Sequence, residues 1–201
     1  RLRILGRRTS KKNLFRMENK RMSTKIIGRE KKYAAHVFDV YSVKVELPNG
    51  KVRSYDLVTH VPAVVIVPVT ADGNILFVEQ FRMGAEDTLL ELPAGILNGA
   101  DGSEDALEGA RRECREETGY DAERIERIGG FYMTPGYCSE YIHVYLAQGL
   151  KKSPLPQDED EFLNLVSLPI AEAYRRAEDG ELNDVKTIAA LTLARGRIRA
   201  A

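Results

Sequence analysis

Cysteine is scarce in this chain, long apolar runs are missing, and the formal charges cancel. Each absence narrows the field. The two cysteines, Cys114 and Cys138, stand far apart with no CxxC spacing, which speaks against a disulfide framework. Cys114 falls among apolar helix positions and is expected to be a buried, reduced thiol, in keeping with a reducing, cytoplasmic setting. No apolar stretch approaches the ~20 residues of a membrane span. No charged-then-apolar signal segment is seen either, so neither a membrane anchor nor a secretory leader is expected. Internal repeats and low-complexity domains are missing too. What remains is a chain of 201 residues, 43% hydrophobic and 30% charged, long enough for one substantial domain and a small appendage.

The zero net charge hides a lopsided distribution. Residues 1–32 hold thirteen Lys and Arg against only Glu18 and Glu30, so a basic leader precedes an acidic remainder. A basic arm of this kind suits nucleic acid. It shows no helix-turn-helix pattern, however, and few aromatics beyond Phe15 and Tyr33. Residues 1–34 are therefore expected to form an extended or partly disordered leader without a nucleic-acid role. The chain starts with Arg1, and Met17 and Met22 are both plausible starts.

Acidic residues are concentrated in residues 95–120. Glu104, Arg112-Glu113, Glu116-Glu117 and Gly119-Tyr120 read as E-x7-R-E-C-x-E-E-x-G-Y. On a helix, Glu113, Glu116 and Glu117 project from neighbouring faces one turn apart. Leu107, Ala110 and Cys114 form the apolar stripe, Ser103 is the expected N-cap, and Gly119 the left-handed C-cap. Carboxylates held this close repel, and a hard divalent cation with oxygen ligands, Mg²⁺ or Mn²⁺, relieves the repulsion. Mg²⁺ commonly shares its coordination with substrate phosphates, which points to phosphoryl chemistry. The plainer alternative is a solvated helix laced by pairs such as Arg112–Glu116 and Glu108–Arg112.

The spacing resembles the Nudix box, G-x5-E-x7-R-E-U-x-E-E-x-G-U with U apolar, the signature of the Nudix hydrolases. One departure stands out. Eight residues separate Gly95 from Glu104 where the family has five, a three-residue insertion in the box loop. Resemblance implies an α/β Nudix fold, a mixed β-sheet sandwiched between helices. Metal would be held by Glu113, Glu116, Glu117 and the Ala94 carbonyl, with Gly95, Glu104, Arg112 and Gly119 as the structural part of the box. Arg112 is expected to hold the box carboxylates rather than touch substrate.

Further stretches resemble the ADP-ribose and ADP-sugar branch of that family. Residues 79–82 (EQFR) place Arg82 as a substrate contact, and residues 91–95 (ELPAG) place Glu91 as a substrate contact or a strand-edge charge. Pro135 lies fifteen residues beyond Tyr120, the branch mark of ADP-ribose pyrophosphatases, and Glu140 follows in the same loop. The acidic run at 158–161 is expected to carry the general base, Glu161 ahead of Glu159, with Glu116 also counted among the catalytic residues.

Hydrophobic patterning predicts a hairpin over 35–60, for which the resemblance implies a homodimer contact, ahead of a Nudix domain at 61–201. Strands are expected at 63–69, 75–81, 88–93, 125–132, 141–146 and 162–168. Helices are expected at 169–178 and 184–195, the second read as core packing. The expected activity is hydrolysis of the diphosphate of ADP-ribose and related nucleoside diphosphate sugars. GDP-mannose, or a non-catalytic ADP-ribose sensor, are the alternatives.

Overall fold

The computed structural model describes residues 23–99, 101–156 and 162–198. Two expected catalytic residues, Glu159 and Glu161, lie outside the described residues, as does the leader up to residue 22.

The first unit is a three-stranded antiparallel sheet in the order β1-β2-β3, from β1 (Lys25–Ala34), β2 (Phe38–Glu46) and β3 (Val52–His60). The hairpin expected over 35–60 is β2–β3, and Gly50 takes the positive φ (79°) of its turn. Its third strand falls inside the segment read as leader. β1 is almost wholly exposed and shows no period-two alternation, so a sequence pattern has nothing to find there. Ladder hydrogen bonds to β2 define it instead.

The second unit is a seven-stranded mixed sheet, order β10-β5-β4-β9-β8, with β6 joined to β5 and β7 to β4. Its strands are β4 (Ala63–Val69), β5 (Asn74–Arg82), β6 (Asp87–Glu91), β7 (Ala94–Ile96), β8 (Tyr120–Tyr132), β9 (Tyr141–Lys152) and β10 (Asn164–Pro169). Every residue of β4 is buried, and the reason is visible in its sequence. AVVIVPV is apolar on both faces, as a strand covered on both sides must be. Ala63, Val65, Val67 and Val69 pack toward α2 (Ile170–Glu178) and α3 (Val185–Ala194). Val64 and Ile66 pack toward α1 (Ala106–Thr118), against Ala110 and Cys114. Each such fully buried Val or Ile contributes roughly 1.5–3 kcal/mol. The result is a sheet between helices.

β4 and β5 meet only at Val69↔Ile75, next to the turn at Gly73 (φ 81°). Beyond it the strands part, and β7 fills the gap, pairing Ala63–Val65 with Ile96–Ala94. Ile66 N also donates to Pro93 O at 2.9 Å. This splay brings residues 93–96 to the middle of the sheet, directly beside α1.

α1 begins two residues later than its expected cap. Asp105, not Ser103, accepts from Leu107 N (2.9 Å) and Glu108 N (3.3 Å), a cap worth about 1 kcal/mol. Glu104 therefore precedes the helix. Gly119 closes it with φ 78°. Leu107, expected on the apolar stripe, is 38% exposed. The face that meets the sheet carries Ala110, Glu113, Cys114 and Glu117, so two carboxylates stand where a packing helix would carry apolar side chains.

Cys114 is fully buried and both cysteines are free. Burial pushes its thiol up to about 11, so at pH 8 it carries little reactive thiolate. Thiol labelling of the native protein at pH 8 is expected to modify Cys138 and to reach Cys114 only on unfolding. Equal native rates at both would contradict this packing.

Candidate active site

Arg112 is the hub of the box. Its Nε and Nη2 grip Glu104 through both carboxylate oxygens, at 3.0 and 2.8 Å. Nη1 donates to Glu113 Oε1 at 2.6 Å and to Glu116 Oε2 at 2.8 Å, the second an i,i+4 pair. Nη2 also reaches the carbonyl of Ile96 at 3.0 Å. A planar fork of donors can do this where an ammonium cannot. The hydrogen bonds from Arg112 hold the Glu104 carboxyl below its ordinary range, and the Asn98 amide adds to the effect.

The inserted box loop leaves this hub undisturbed. Asn98 N donates to Glu104 Oε2 (2.8 Å) and Glu104 N to Asn98 O (3.1 Å), closing the loop at its base. Gly99 (φ 93°) and Gly102 (φ 69°) take left-handed backbone within the insertion. Gly102 N donates to Gly99 O at 3.0 Å.

Glu113 and Glu117 face the strand that the splay of the sheet delivers. Glu117 Oε2 accepts from Ala94 N at 3.0 Å. A Cβ on Gly95 would overlap the Glu113 carboxylate, so glycine is required there by close approach. Gly95→Ala is expected to displace Glu113 and lower kcat/KM by at least about 10-fold. Steady-state kinetics beside a thermal melt checks this, and wild-type kcat/KM would contradict it.

On the other side of residues 91–95 stands Arg82, whose Nε and Nη2 bind Glu91 Oε1 and Oε2 at 2.8 and 2.6 Å. Glu91 is 1% exposed; it is a buried anchor, not a charge at an open strand edge. Burial pushes its carboxyl up, but hydrogen bonds and charge from Arg82 and Lys186 outweigh that and leave it lowered. Lys186 and Thr187, at the start of the helix read as core packing, are the polar residues that sequence reading missed. A lysine inside an otherwise apolar helical run was the available signal.

Pro135 and Glu140 lie in the β8–β9 loop, which β3 holds in place. Val58 N donates to Tyr137 O (2.8 Å), Ser139 N to Val58 O (2.9 Å) and His60 N to Ser139 Oγ (3.0 Å). Met133 N donates to Glu140 O at 3.2 Å. The N-terminal sheet is thereby tied to the loop that carries Pro135, which itself is exposed.

Among the described residues no three acidic, His or Cys side chains are gathered as a ready set of metal ligands. Glu113 and Glu116 are drawn onto Arg112, and Glu117 onto the Ala94 amide. The donors nevertheless fit a hard divalent cation in kind. They are anionic oxygens on one helix face beside a backbone strand.

Residues 59–191 match the family model described as the NUDIX domain. The chain is 38% identical over 174 residues to an ADP-ribose pyrophosphatase of Bacillus subtilis (strain 168), covering 86% of this chain and 92% of that protein. It is 37% identical over 169 residues to a methanol dehydrogenase activator of Bacillus methanolicus, covering 83% and 90%. Among solved structures, an ADP compounds hydrolase superposes with a TM-score of 0.77 at 30% identity, covering 87% of this chain and 97% of that one. Nudix hydrolases generally use a divalent metal, which agrees with the donor set. With its box helix set against the Ala94–Gly95 strand, this chain belongs to the Nudix hydrolase family.

Proposed function

We propose that the chain hydrolyses the diphosphate of ADP-ribose and related nucleoside diphosphate sugars to a nucleoside monophosphate and a sugar phosphate. The observation that carries this is the buried face of α1, where Glu113 and Glu117 meet the Ala94–Gly95 strand beside the Arg82–Glu91 pair. Carboxylates on one side and a guanidinium on the other suit a substrate that is itself a diphosphate.

Glu113, Glu116, Glu117 and the Ala94 carbonyl would hold Mg²⁺, with Mn²⁺ as a substitute; when bound, the cation neutralises the diphosphate. Arg82, 39% exposed along its side chain, contacts a phosphate or ribose oxygen. Arg112 keeps the carboxylates in place through Glu104 and Ile96 O. A glutamate of the 159–161 segment, Glu161 ahead of Glu159, takes the proton of the attacking water. Pro135 and Glu140, in the β8–β9 loop, supply further substrate contacts.

The homodimer reading is supported by the apolar side chains that the N-terminal sheet leaves exposed, among them Ile26, Ile27, Val52 and Tyr55. No helix among the described residues is long and apolar enough to cross a membrane, and both cysteines are free. The free thiols support a cytoplasmic setting.

The test is product analysis. ADP-ribose with Mg²⁺ is expected to yield AMP and ribose 5-phosphate, and EDTA to abolish both. Release of other products from ADP-ribose, or turnover unaffected by EDTA, would overturn the mechanism. Lack of any turnover would leave the activator named in B. methanolicus as the better guide.

A further inference from the structure

The first turn of α3 carries a polar knot in an otherwise apolar helix. Lys186 is 9% exposed, and its Nζ binds Glu91 Oε2 and, at 3.0 Å, Asp184 Oδ2. Asp184 caps the helix, accepting from Thr187 N (3.0 Å) and Thr187 Oγ1 (2.6 Å). Thr187 Oγ1 in turn accepts from Leu92 N at 2.8 Å. The knot therefore grips residues 91 and 92 at adjacent points, one through a side chain and one through the backbone.

Glu91 is the shared element. Its two oxygens receive Arg82 through Nε and Nη2, and Oε2 also receives Lys186. Among the described residues Arg82 Nη1 makes no hydrogen bond. A buried carboxylate is held in one orientation only if its lone pairs are satisfied. Lys186 supplies the partner that Arg82 cannot, from the opposite chain segment. Without it, Glu91 keeps a single cationic partner and loses its tether to α3, so the pair with Arg82 swings as a unit.

We propose that Lys186 is a positioning residue for substrate binding: through Glu91 it fixes the guanidinium of Arg82, the side chain that meets the diphosphate sugar. The inference rests on the reading of Arg82 as a substrate contact. Lys186 touches no reacting atom; it acts through two intervening side chains.

A double-mutant cycle tests it, with ADP-ribose as probe and a spectroscopic readout beside it. Lys186→Met is expected to raise KM about 10-fold while changing kcat less than about 3-fold. In an Arg82→Ala background the same substitution is expected to change KM less than about 2-fold, because the group it positions is gone. A merely structural role would persist in that background. In ¹⁵N spectra, the Arg82 Nε–H signal, assigned by its loss in Arg82→Ala, is expected to exchange slowly with solvent in the wild type and fast in Lys186→Met. Should Lys186→Met fail to fold, Lys186→Gln, which keeps a donor for Glu91 but no charge, carries the comparison. An Arg82 signal unchanged by the substitution, or an equal KM effect in both backgrounds, would overturn the proposal. Wild-type inactivity on ADP-ribose would defeat the functional reading alone, and the Arg82 signal would still decide this one.

Discussion

Glu117→Gln is expected to lower kcat/KM about 10²–10³-fold while leaving the protein folded. The size follows from removing one preorganised charge from a site that handles a polyanion. Glu117 is 4% exposed and accepts from Ala94 N at 3.0 Å. Glutamine has the same size and keeps an amide oxygen that accepts from Ala94 N, so α1 and the Ala94–Gly95 strand stay in register. What is lost is the negative charge that a divalent cation would use. The control is a thermal melt of the same preparation, in which the midpoint should move by no more than about 4 °C. A folded variant with near-wild-type turnover would remove Glu117 from the metal set.

Arg112→Met gives the second large effect, and here on stability first. Arg112, 21% exposed along its side chain, forms ion pairs with Glu104, Glu113 and Glu116 together. Methionine replaces the stem but leaves three carboxylates crowded beside Glu117 with no counter-charge. Breaking such a set by removing one partner costs about 3–5 kcal/mol, which in a chain of this size lowers Tm by roughly 10 °C. Excess Mg²⁺ is expected to recover more Tm in the variant than in the wild type. A cation that binds only the folded state stabilises it, and the variant's carboxylates have no arginine to compete with it. Melts with and without Mg²⁺ check both statements. A variant as stable as wild type without added cation would contradict the hub, and identical Mg²⁺ shifts would contradict the competition.

Much of this was legible in the sequence, and the misses have physical causes. The two-faced apolar run of β4 announced a buried strand, and Gly119 announced the end of α1. Glu113 and Glu117 sit i,i+4, so a helix puts them on one face whatever else surrounds them. The N-cap was misplaced because Ser103 and Asp105 are both good caps two residues apart. Glu108, three residues after Asp105, was the discriminating signal. Leu107 was assigned to the stripe on periodicity alone, but the true contact face is shared by two glutamates, which hydropathy counts as solvent-facing. β1 is exposed, shows no alternation and exists by pairing, so only the ladder with β2 reveals it.

The partner of Lys186 was hidden for a different reason. Lys186 and Glu91 are 95 residues apart in sequence, and no local pattern connects a lysine in a late helix to a glutamate at the end of β6. Buried pairs of this separation are set by topology, here by the splay of β4 from β5 that seats residues 91–95 between α1 and α3. The same topology explains why Glu91, ambiguous as a strand-end residue, is among the most buried charges in the protein.

The measurement that bears most directly on the account is kcat/KM with Mg²⁺ over ADP-ribose, ADP-glucose, GDP-mannose, NADH, Ap4A and dGTP on one wild-type preparation. The expected result is turnover of the nucleoside diphosphate sugars, with ADP-ribose preferred and AMP released. A preference for GDP-mannose would keep the site and reassign the substrate. Turnover of dGTP with none of the diphosphate sugars would contradict the account at its centre.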